Sequence, residues 1–332
     1  MTQAQFDVVG IGNAIVDVIS RTEDSFLDTW KISKNAMNLI EADRADALTR
    51  ASVSPLETSG GSGANTVVGL ASLGGRGAYI GKVADDRLGD VFRDDMARVG
   101  VPFTTPPLLN GTATARSIIF VTPDGARSMN TFLGASVEFS PSDVDTHTVT
   151  AGAILYLEGY LFDRDAAKAA FVHAAEIAHK AGRKVALTLS DGFCVDRHRD
   201  SFRQLVRHQV DLLFANEEEL LSLYDTRDFD TALDRLRADT TIAAVTRGEK
   251  GSVVIGEGDP VAVPAVPVAD VVDTTGAGDQ YAAGFLFGIA NGYTLANCAQ
   301  LGHIAAAEVI SHYGPRPETS LRELARAAGF DL

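Results

Sequence analysis

Asp273-Thr274-Thr275-Gly276-Ala277-Gly278-Asp279 runs directly into Gln280-Tyr281-Ala282-Ala283-Gly284-Phe285. A β-branched run over residues 271–275 breaks at Gly-Ala-Gly, and an Ala- and Gly-rich apolar run follows. The pattern predicts a strand or loop, a tight turn, then a helix. Three small residues in succession let the backbone approach an anion, and the unpaired amides of the helix's first turn point at it. The aligned peptide dipoles favour negative charge at the same place. Yet an acid, Asp279, sits inside that turn. A carboxylate there has a use if it takes the proton of a hydroxyl attacking a phosphoryl group, while the amides hold the developing charge. The alternative is an ordinary turn followed by a helix-start acid, and a lone Gly-x-Gly would not decide between them.

The alternation of elements around this stretch sets the fold class. From residue 152 onward, apolar strands (153–157, 184–189, 210–215, 242–246, 252–255) alternate with helical patterns (164–181, 200–208, 217–224, 229–238). Two long helices follow, over 278–291 and 295–312. Such alternation predicts a mostly parallel sheet sandwiched by helices. The N-terminal run 6–11 is apolar throughout, as expected of a strand covered on both faces. Residues 15–20 and 38–41 read as short strands around a more amphipathic stretch, 23–31. A helix over 64–73, a strand over 78–83 and a helix over 89–99 come next. Two β-rich runs, 112–122 and 128–133, flank Pro123-Asp124-Gly125-Ala126, a hairpin turn in which Pro presets φ and Gly supplies φ > 0. With no helix between them, these strands belong to a separate β substructure. The expected organisation is an α/β body (1–12, 42–102 and 136–332) and a small β-sheet lid (13–41 and 103–135).

The chain has 332 residues, 45% hydrophobic and 22% charged, with a formal net charge of −15. That length favours one large domain with an appendage. Strong acidity argues against a nucleic-acid partner, though a few amides suffice for a local phosphate site. The two cysteines, Cys194 and Cys298, far apart in sequence, argue against a disulfide framework and fit a reducing cytoplasm. Residues 1–7 lack an apolar signal core and no run reaches the length of a membrane span, so no membrane association is expected.

Two familiar phosphate motifs fail. Gly10-Ile11-Gly12-Asn13-Ala14-Ile15 has Ile15 where a dinucleotide fingerprint needs its third small residue, and no helix pattern follows. Gly81-Lys82 is followed by Val83 and lacks the upstream glycine of a P-loop.

The whole run Asp273–Asp279 resembles the second signature of the ribokinase-like, or PfkB, carbohydrate kinases. Other segments match that family in order, over almost the entire chain. Gly12-Asn13 followed by Asp17 is similar to its first-strand motif, whose aspartate binds adjacent hydroxyls; one carboxylate accepts two such bonds. Otherwise Asp17 is a polar strand or turn residue. Gly60-Gly61-Ser62-Gly63-Ala64-Asn65, ahead of Leu73-Gly74, resembles the first signature. By that match Gly61 is a hinge and offers a backbone group to substrate, and Asn65 binds a hydroxyl; Ser62 also reads as a helix cap. Asn216-Glu217-Glu218-Glu219 resembles the Asn-x-x-Glu motif, in which Asn216 contacts phosphate and Asn216 and Glu219 place a divalent metal largely through water. Magnesium suits such a sparse oxygen set. Glu217 and Glu218 read as helix-start acids. Thr246-Arg247-Gly248-Glu249-Lys250-Gly251 resembles the nucleotide-phosphate turn, assigning Thr246, Gly248 and Gly251 to ATP.

The resemblance implies an ATP-dependent kinase with an α/β sandwich and a β lid. Asp279 is then the general base and Gly276, Ala277 and Gly278 the anion hole. Mg2+ is implied, K+ is common in the family, and a monomer or homodimer is expected. Within the family, Arg127-Ser128-Met129-Asn130-Thr131-Phe132-Leu133-Gly134-Ala135 and Gly12–Asp17 lean toward the adenosine kinase branch. The expected acceptor is therefore the 5′-hydroxyl of a nucleoside, adenosine first, with a sugar kinase as the alternative. Phe132, with Ile15 or Met37, either forms a flat slot for a purine or packs the lid on the body. Arg127 faces the phosphates or pairs with a surface acid. Two other classes stay in view: a ligand-binding regulator, for which a base at the phosphate site has no use, and a nicotinamide-dependent oxidoreductase, which the broken fingerprint disfavours.

Overall fold

The computed structural model describes residues 4–332. Its strands, numbered along the chain, are β1 (Phe6–Ile11), β2 (Ile15–Arg21), β3 (Met37–Leu39), β4 (Leu56–Gly60), β5 (Gly77–Ile80), β6 (Ala115–Val121), β7 (Arg127–Phe132), β8 (Gly152–Glu158), β9 (Lys184–Thr188), β10 (Leu212–Asn216), β11 (Ile242–Thr246), β12 (Ser252–Ile255) and β13 (Val261–Val263). They form two sheets.

The larger sheet has the order β13-β12-β11-β10-β9-β8-β1-β5. Its pairs from β5 to β11 are parallel, and β12 and β13 close one edge as antiparallel strands. Alternate residues of β1 show why the run is apolar throughout. Val9 and Ile11 enter a core with Phe171 and Phe202, while Val8 enters the core on the other face with Phe285 and Leu301. Helices cover both faces, which is what parallel strands need. The fold is ribokinase-like.

The smaller sheet has the order β3-β7-β6-β2-β4. The β6–β7 hairpin forms as the Pro-Asp-Gly turn predicts, with Gly125 at φ +83°. The boundary expected at residue 42 does not hold. Strand β4 pairs antiparallel with β2, Asp17 opposite Thr58, and the helix Ala42–Ala51 buries Ala45 and Leu48 against Ile118 and Phe120 beneath this sheet. The segment through Gly60 therefore belongs to the small sheet. Leu56-Glu57-Thr58-Ser59-Gly60 carries one large apolar residue, and that one is exposed, so no strand pattern announces it. Conversely, residues 103–112 add no strand to the small sheet; Phe103 bridges Tyr79 of the large sheet, and Leu108 bridges Ala84.

The helix expected over 200–208 begins much earlier, at Gly192, and kinks at His198. Asp191 caps it by accepting from the Cys194 amide at 2.6 Å. Gly192 reads as a breaker in sequence, but at a helix start it costs little.

Candidate active site

Two of the crossings between the two sheets lie at the carboxyl end of β1 and at the end of β4, and open α/β sheets bind ligands at the carboxyl ends of their strands. One buried acid ties both together. Glu158, the last residue of β8, accepts from the Gly63 amide (2.7 Å), the Asn13 amide (3.2 Å) and Asn13 Nδ2 (2.8 Å). A Cβ at Gly12 would lie 2.4 Å from Glu158 Oε2, so the glycine makes room for the carboxylate. Burial pushes Glu158 up to about 7, against those hydrogen bonds. Sequence reasoning missed this residue, although an acid closing an apolar strand was a usable signal. Asn13 Oδ1 is left buried without a partner, an acceptor available to a hydroxyl.

Asp17 sits on β2 with its carboxylate packed against Gly60, where a Cβ would come within 2.7 Å of Oδ2. Burial raises its pKa to about 6, opposed by the Arg127 and Arg316 guanidiniums. Arg127 does not pair with a surface acid: Nη1 lies 3.3 Å from Asp273 Oδ2, both side chains mostly buried. Its Nε and Nη2 are buried without partners, as is Nη2 of Arg316. Buried guanidinium donors with nothing to bind fit an anionic group entering between them.

Phe132 does not face this cleft. Opposed residues on paired strands share a face, and Asp17 opposes Ser117 while Phe132 opposes Arg116. The ring is buried with Leu27, Leu48 and Phe120, and the Arg116 guanidinium lies over it at 5.5 Å. It is a core residue of the small sheet, correcting the purine-slot expectation. Ile15 and Met37 are on the Asp17 face, since Ile15 opposes Ala115 and Met37 opposes Met129.

The Gly-Ala-Gly stretch forms the turn into helix Ala277–Ala290. Asp273 organises it, accepting from the Thr275 amide (2.9 Å), Thr275 Oγ1 (2.7 Å) and the Gly314 amide (3.1 Å). Gly276 has φ +81°, and a Cβ there would strike Pro315 at 2.6 Å, so no other residue fits. Gly278 faces open space. The Ala277 amide turns back to the Thr274 carbonyl (3.2 Å), leaving the Gly278 and Asp279 amides as the outward donors of the first turn. Asp279 is partly buried. Its Oδ1 accepts from Ser62 Oγ at 2.6 Å and its Oδ2 from Asn65 Nδ2 at 3.3 Å. Desolvation raises it to about 6, and the two hydrogen bonds limit the rise. A carboxylate titrating there is mostly ionised at neutral pH and basic enough to accept a hydroxyl proton.

Gly61 enters the helix Ser62–Ser72 at φ +95°; a Cβ would meet the Asn13 carbonyl at 2.3 Å. Asn65 is turned toward protein on both sides, donating to Asp279 and accepting at Oδ1 from Arg316 Nε (3.1 Å). Its second amide hydrogen remains for a hydroxyl.

Asn216 and Glu219 form a reciprocal helix cap: Asn216 Oδ1 accepts from the Glu219 amide (2.8 Å), and Glu219 accepts from the Asn216 amide (3.0 Å) and Nδ2 (2.7 Å). Burial, with the negative charges of Asp191 and Glu218, lifts Glu219 to about 7. Glu217 is occupied by Arg247 at 3.0 Å. Glu219 is buried and Asn216 exposed, and the carboxylates of Asp191, Glu217 and Glu218 stand nearby, so the corner is rich in the oxygen ligands that a hydrated divalent cation takes. Among the described residues no group of three or more His, Cys, Asp or Glu side chains is arranged to hold a metal alone. Thr246 is the register partner of Asn216. Gly248 and Gly251 have φ +59° and +86°, shaping the tight β11–β12 turn.

Two aromatic residues were not foreseen. Tyr160, just beyond β8, is 38% exposed, and the charges of Asp191, Asp279 and Glu219 all reach it. Phe193, beyond β9, is 78% exposed. Tyr160 thus stands beside the acids of the cleft, whereas Phe193 lines a surface groove with Asp196, Arg199, Glu218 and Leu221; only the three-dimensional placement separates such rings from packing residues.

Residues 8–321 match the model of the pfkB family carbohydrate kinases. The chain belongs to that family. An adenosine kinase structure from Sinorhizobium meliloti is 54% identical, with a TM-score of 0.90 and coverage of 98% of this chain and 100% of that one. A structure from Rhizobium etli CFN 42, named a "probable sugar kinase protein", is 51% identical with the same TM-score, covering 98% and 99%. The adenosine kinase of Saccharomyces cerevisiae is 26% identical over 330 residues, 93% of this chain and 96% of its own. The chain is a phosphotransferase with an alcohol acceptor, in an ATP-dependent family. No described helix is long and apolar enough to cross a membrane.

Proposed function

We propose that this pfkB kinase transfers the γ-phosphoryl group of ATP to the 5′-hydroxyl of a nucleoside, adenosine before others. The observation that carries the reading is Tyr160, a partly exposed ring at the end of β8 within reach of the Asp279 and Glu219 charges, set against a hydroxyl-binding acid, Asp17, on the small sheet. A nucleoside needs both: a flat surface for its base and a carboxylate for its vicinal hydroxyls. The likeness to the Sinorhizobium protein supports the same acceptor.

Asp17 and Asn13 Oδ1 hold the ribose hydroxyls. Asp279 removes the proton of the attacking hydroxyl as the oxygen–phosphorus bond forms, and ADP leaves with the electron pair of the bond that breaks. The Gly278 and Asp279 amides and the Arg127 guanidinium stabilise the charge on the transferred group. Asn216 and Glu219 would hold hydrated Mg2+, which when bound neutralises charge on the triphosphate. Thr246, Gly248 and Gly251 shape the turn against the nucleotide phosphates. The small sheet acts as a lid, hinged at Gly61, that excludes water as a competing acceptor.

An acceptor screen with ATP consumption as readout tests this: adenosine, inosine, guanosine, ribose and fructose, each with magnesium. Preference for adenosine is expected. Ready turnover of sugars with no nucleoside activity would establish the sugar kinase reading, which the Rhizobium etli likeness favours.

A further inference from the structure

Arg316 lies beyond the signatures, in the loop after helix Leu295–Val309. Three contacts fix it. Its Nε donates to Asn65 Oδ1 at 3.1 Å, its Nη1 lies 3.4 Å from Asp95 Oδ2, and the carbonyl of the preceding Pro315 accepts from the buried Gln280 side chain at 2.9 Å. Asp95 is itself anchored. It accepts from the Ser59 amide and hydroxyl, both at 2.8 Å, from Thr58 Oγ1 at 2.9 Å, and pairs with Arg98.

A guanidinium carries donors only. Facing Asn65, it compels the amide to present oxygen to Arg316 and therefore nitrogen to Asp279. We infer that Arg316 is a positioning residue for the reaction: it holds Asn65 in the one orientation that donates to the base, and it ties that orientation, through Asp95, to strand β4 of the small sheet. The inference rests on the proposed role of Asp279 and adds a residue to it.

The consequence is directional. A donor on Asp279 favours its ionised form. Without Arg316, Asn65 is free to flip, its carbonyl then opposes the carboxylate, and the protonated acid is favoured. Around Asp279 stand Glu158 and Tyr156 of β8, Tyr160 beyond it, and Tyr79 of β5. Those groups are common to every variant below, so a change in titration reports on Asn65 and Arg316.

The test measures acceptor-saturated turnover against pH, and follows the Asp279 carboxyl carbon by NMR titration, for the wild-type chain, Arg316→Met, Arg316→Lys, Asn65→Leu and the Met/Leu double variant. Arg316→Met is expected to move both the acid limb and the NMR midpoint upward by about one pH unit, a shift typical of losing one donor to a carboxylate. Arg316→Lys, still a donor to Asn65, keeps both near wild type. Asn65→Leu reproduces the shift, and the double variant adds nothing to it. If Arg316→Met does not fold, Arg316→Ala takes its place. An unmoved limb and midpoint in the folded Arg316 variant, or additive shifts in the double, overturn the inference. Absence of phosphoryl transfer to any alcohol in the wild type would instead contradict the proposed function, and the NMR titration would still decide the role of Arg316.

Discussion

Ser62 and Asp279 are separated by 217 residues in sequence, yet Ser62 Oγ donates to Asp279 Oδ1 at 2.6 Å. The first residue of one helix thus grips an acid in the first turn of another. The two glycine-rich signatures are two halves of one site, and each is partly legible alone because each must start a helix with no side chains in the way. Ser62→Ala should lower turnover at neutral pH several-fold by weakening the ionised base, a hydrogen bond to a charged group being worth roughly 1.5–3 kcal/mol. Turnover versus pH checks it: activity should recover as pH rises.

Gly276 and Gly278 differ in what a side chain would meet. Gly276→Ala puts Cβ against Pro315 in a left-handed backbone and should lower both melting temperature and kcat. Gly278→Ala meets no protein atom, so it should leave the melting temperature near wild type while kcat falls, because the methyl takes up space beside the anion. Equal stability losses in both variants would count against an open anion cradle.

Tyr160→Ala should raise the nucleoside KM about ten-fold or more and leave the KM for ATP near wild type, since base stacking on an aromatic ring is worth roughly 1–3 kcal/mol. A sugar acceptor should be indifferent to the change. An unchanged nucleoside KM would remove Tyr160 from the base surface.

Asp17→Ala should likewise act on the acceptor alone, raising its KM about ten-fold or more through lost charged hydrogen bonds. Isothermal titration with adenosine and with an ATP analogue separates the two ligands.

Three buried acids, Asp17, Glu158 and Glu219, and the partly buried Asp279 are raised to between about 6 and about 7. Groups so raised bind protons more tightly folded than unfolded. Their contribution to stability is full below the unfolded carboxylate pKa and is lost as pH rises through 6 to 7. Urea midpoints should therefore be higher at pH 5 than at pH 8. Glu158→Gln should shrink that difference by on the order of 1–2 kcal/mol. An undiminished pH difference would mean that Glu158 is ionised in both states.

The fold was readable where burial on both faces left apolar runs, as in β1 and β11, and where caps and turns used characteristic residues. Strand β4 escaped because its side chains serve neighbours rather than a core: Thr58 and Ser59 bond Asp95, and Gly60 makes way for Asp17. The candidate site divides in the same way. Asp279, Asp17 and Asn216 lie in contiguous motifs. Glu158, Arg316 and Tyr160 reach the cleft from separate strand ends and loops, and no local pattern distinguishes an exposed ring from a packed one. Phe132 shows the converse, since one residue of strand register decides which face it takes.

The central claim is that Asp279 is the base, and Asp279→Asn tests it most directly. Asparagine keeps the shape and a hydrogen-bonding group but accepts no proton. Steady-state kinetics with adenosine and ATP, together with thermal melting of the same variant, give the answer. Kcat should fall about 10²–10⁴-fold, the usual contribution of base catalysis, with both substrates still bound and the melting temperature little changed. Near-wild-type kcat with a lowered melting temperature would show a helix-start acid and contradict the account.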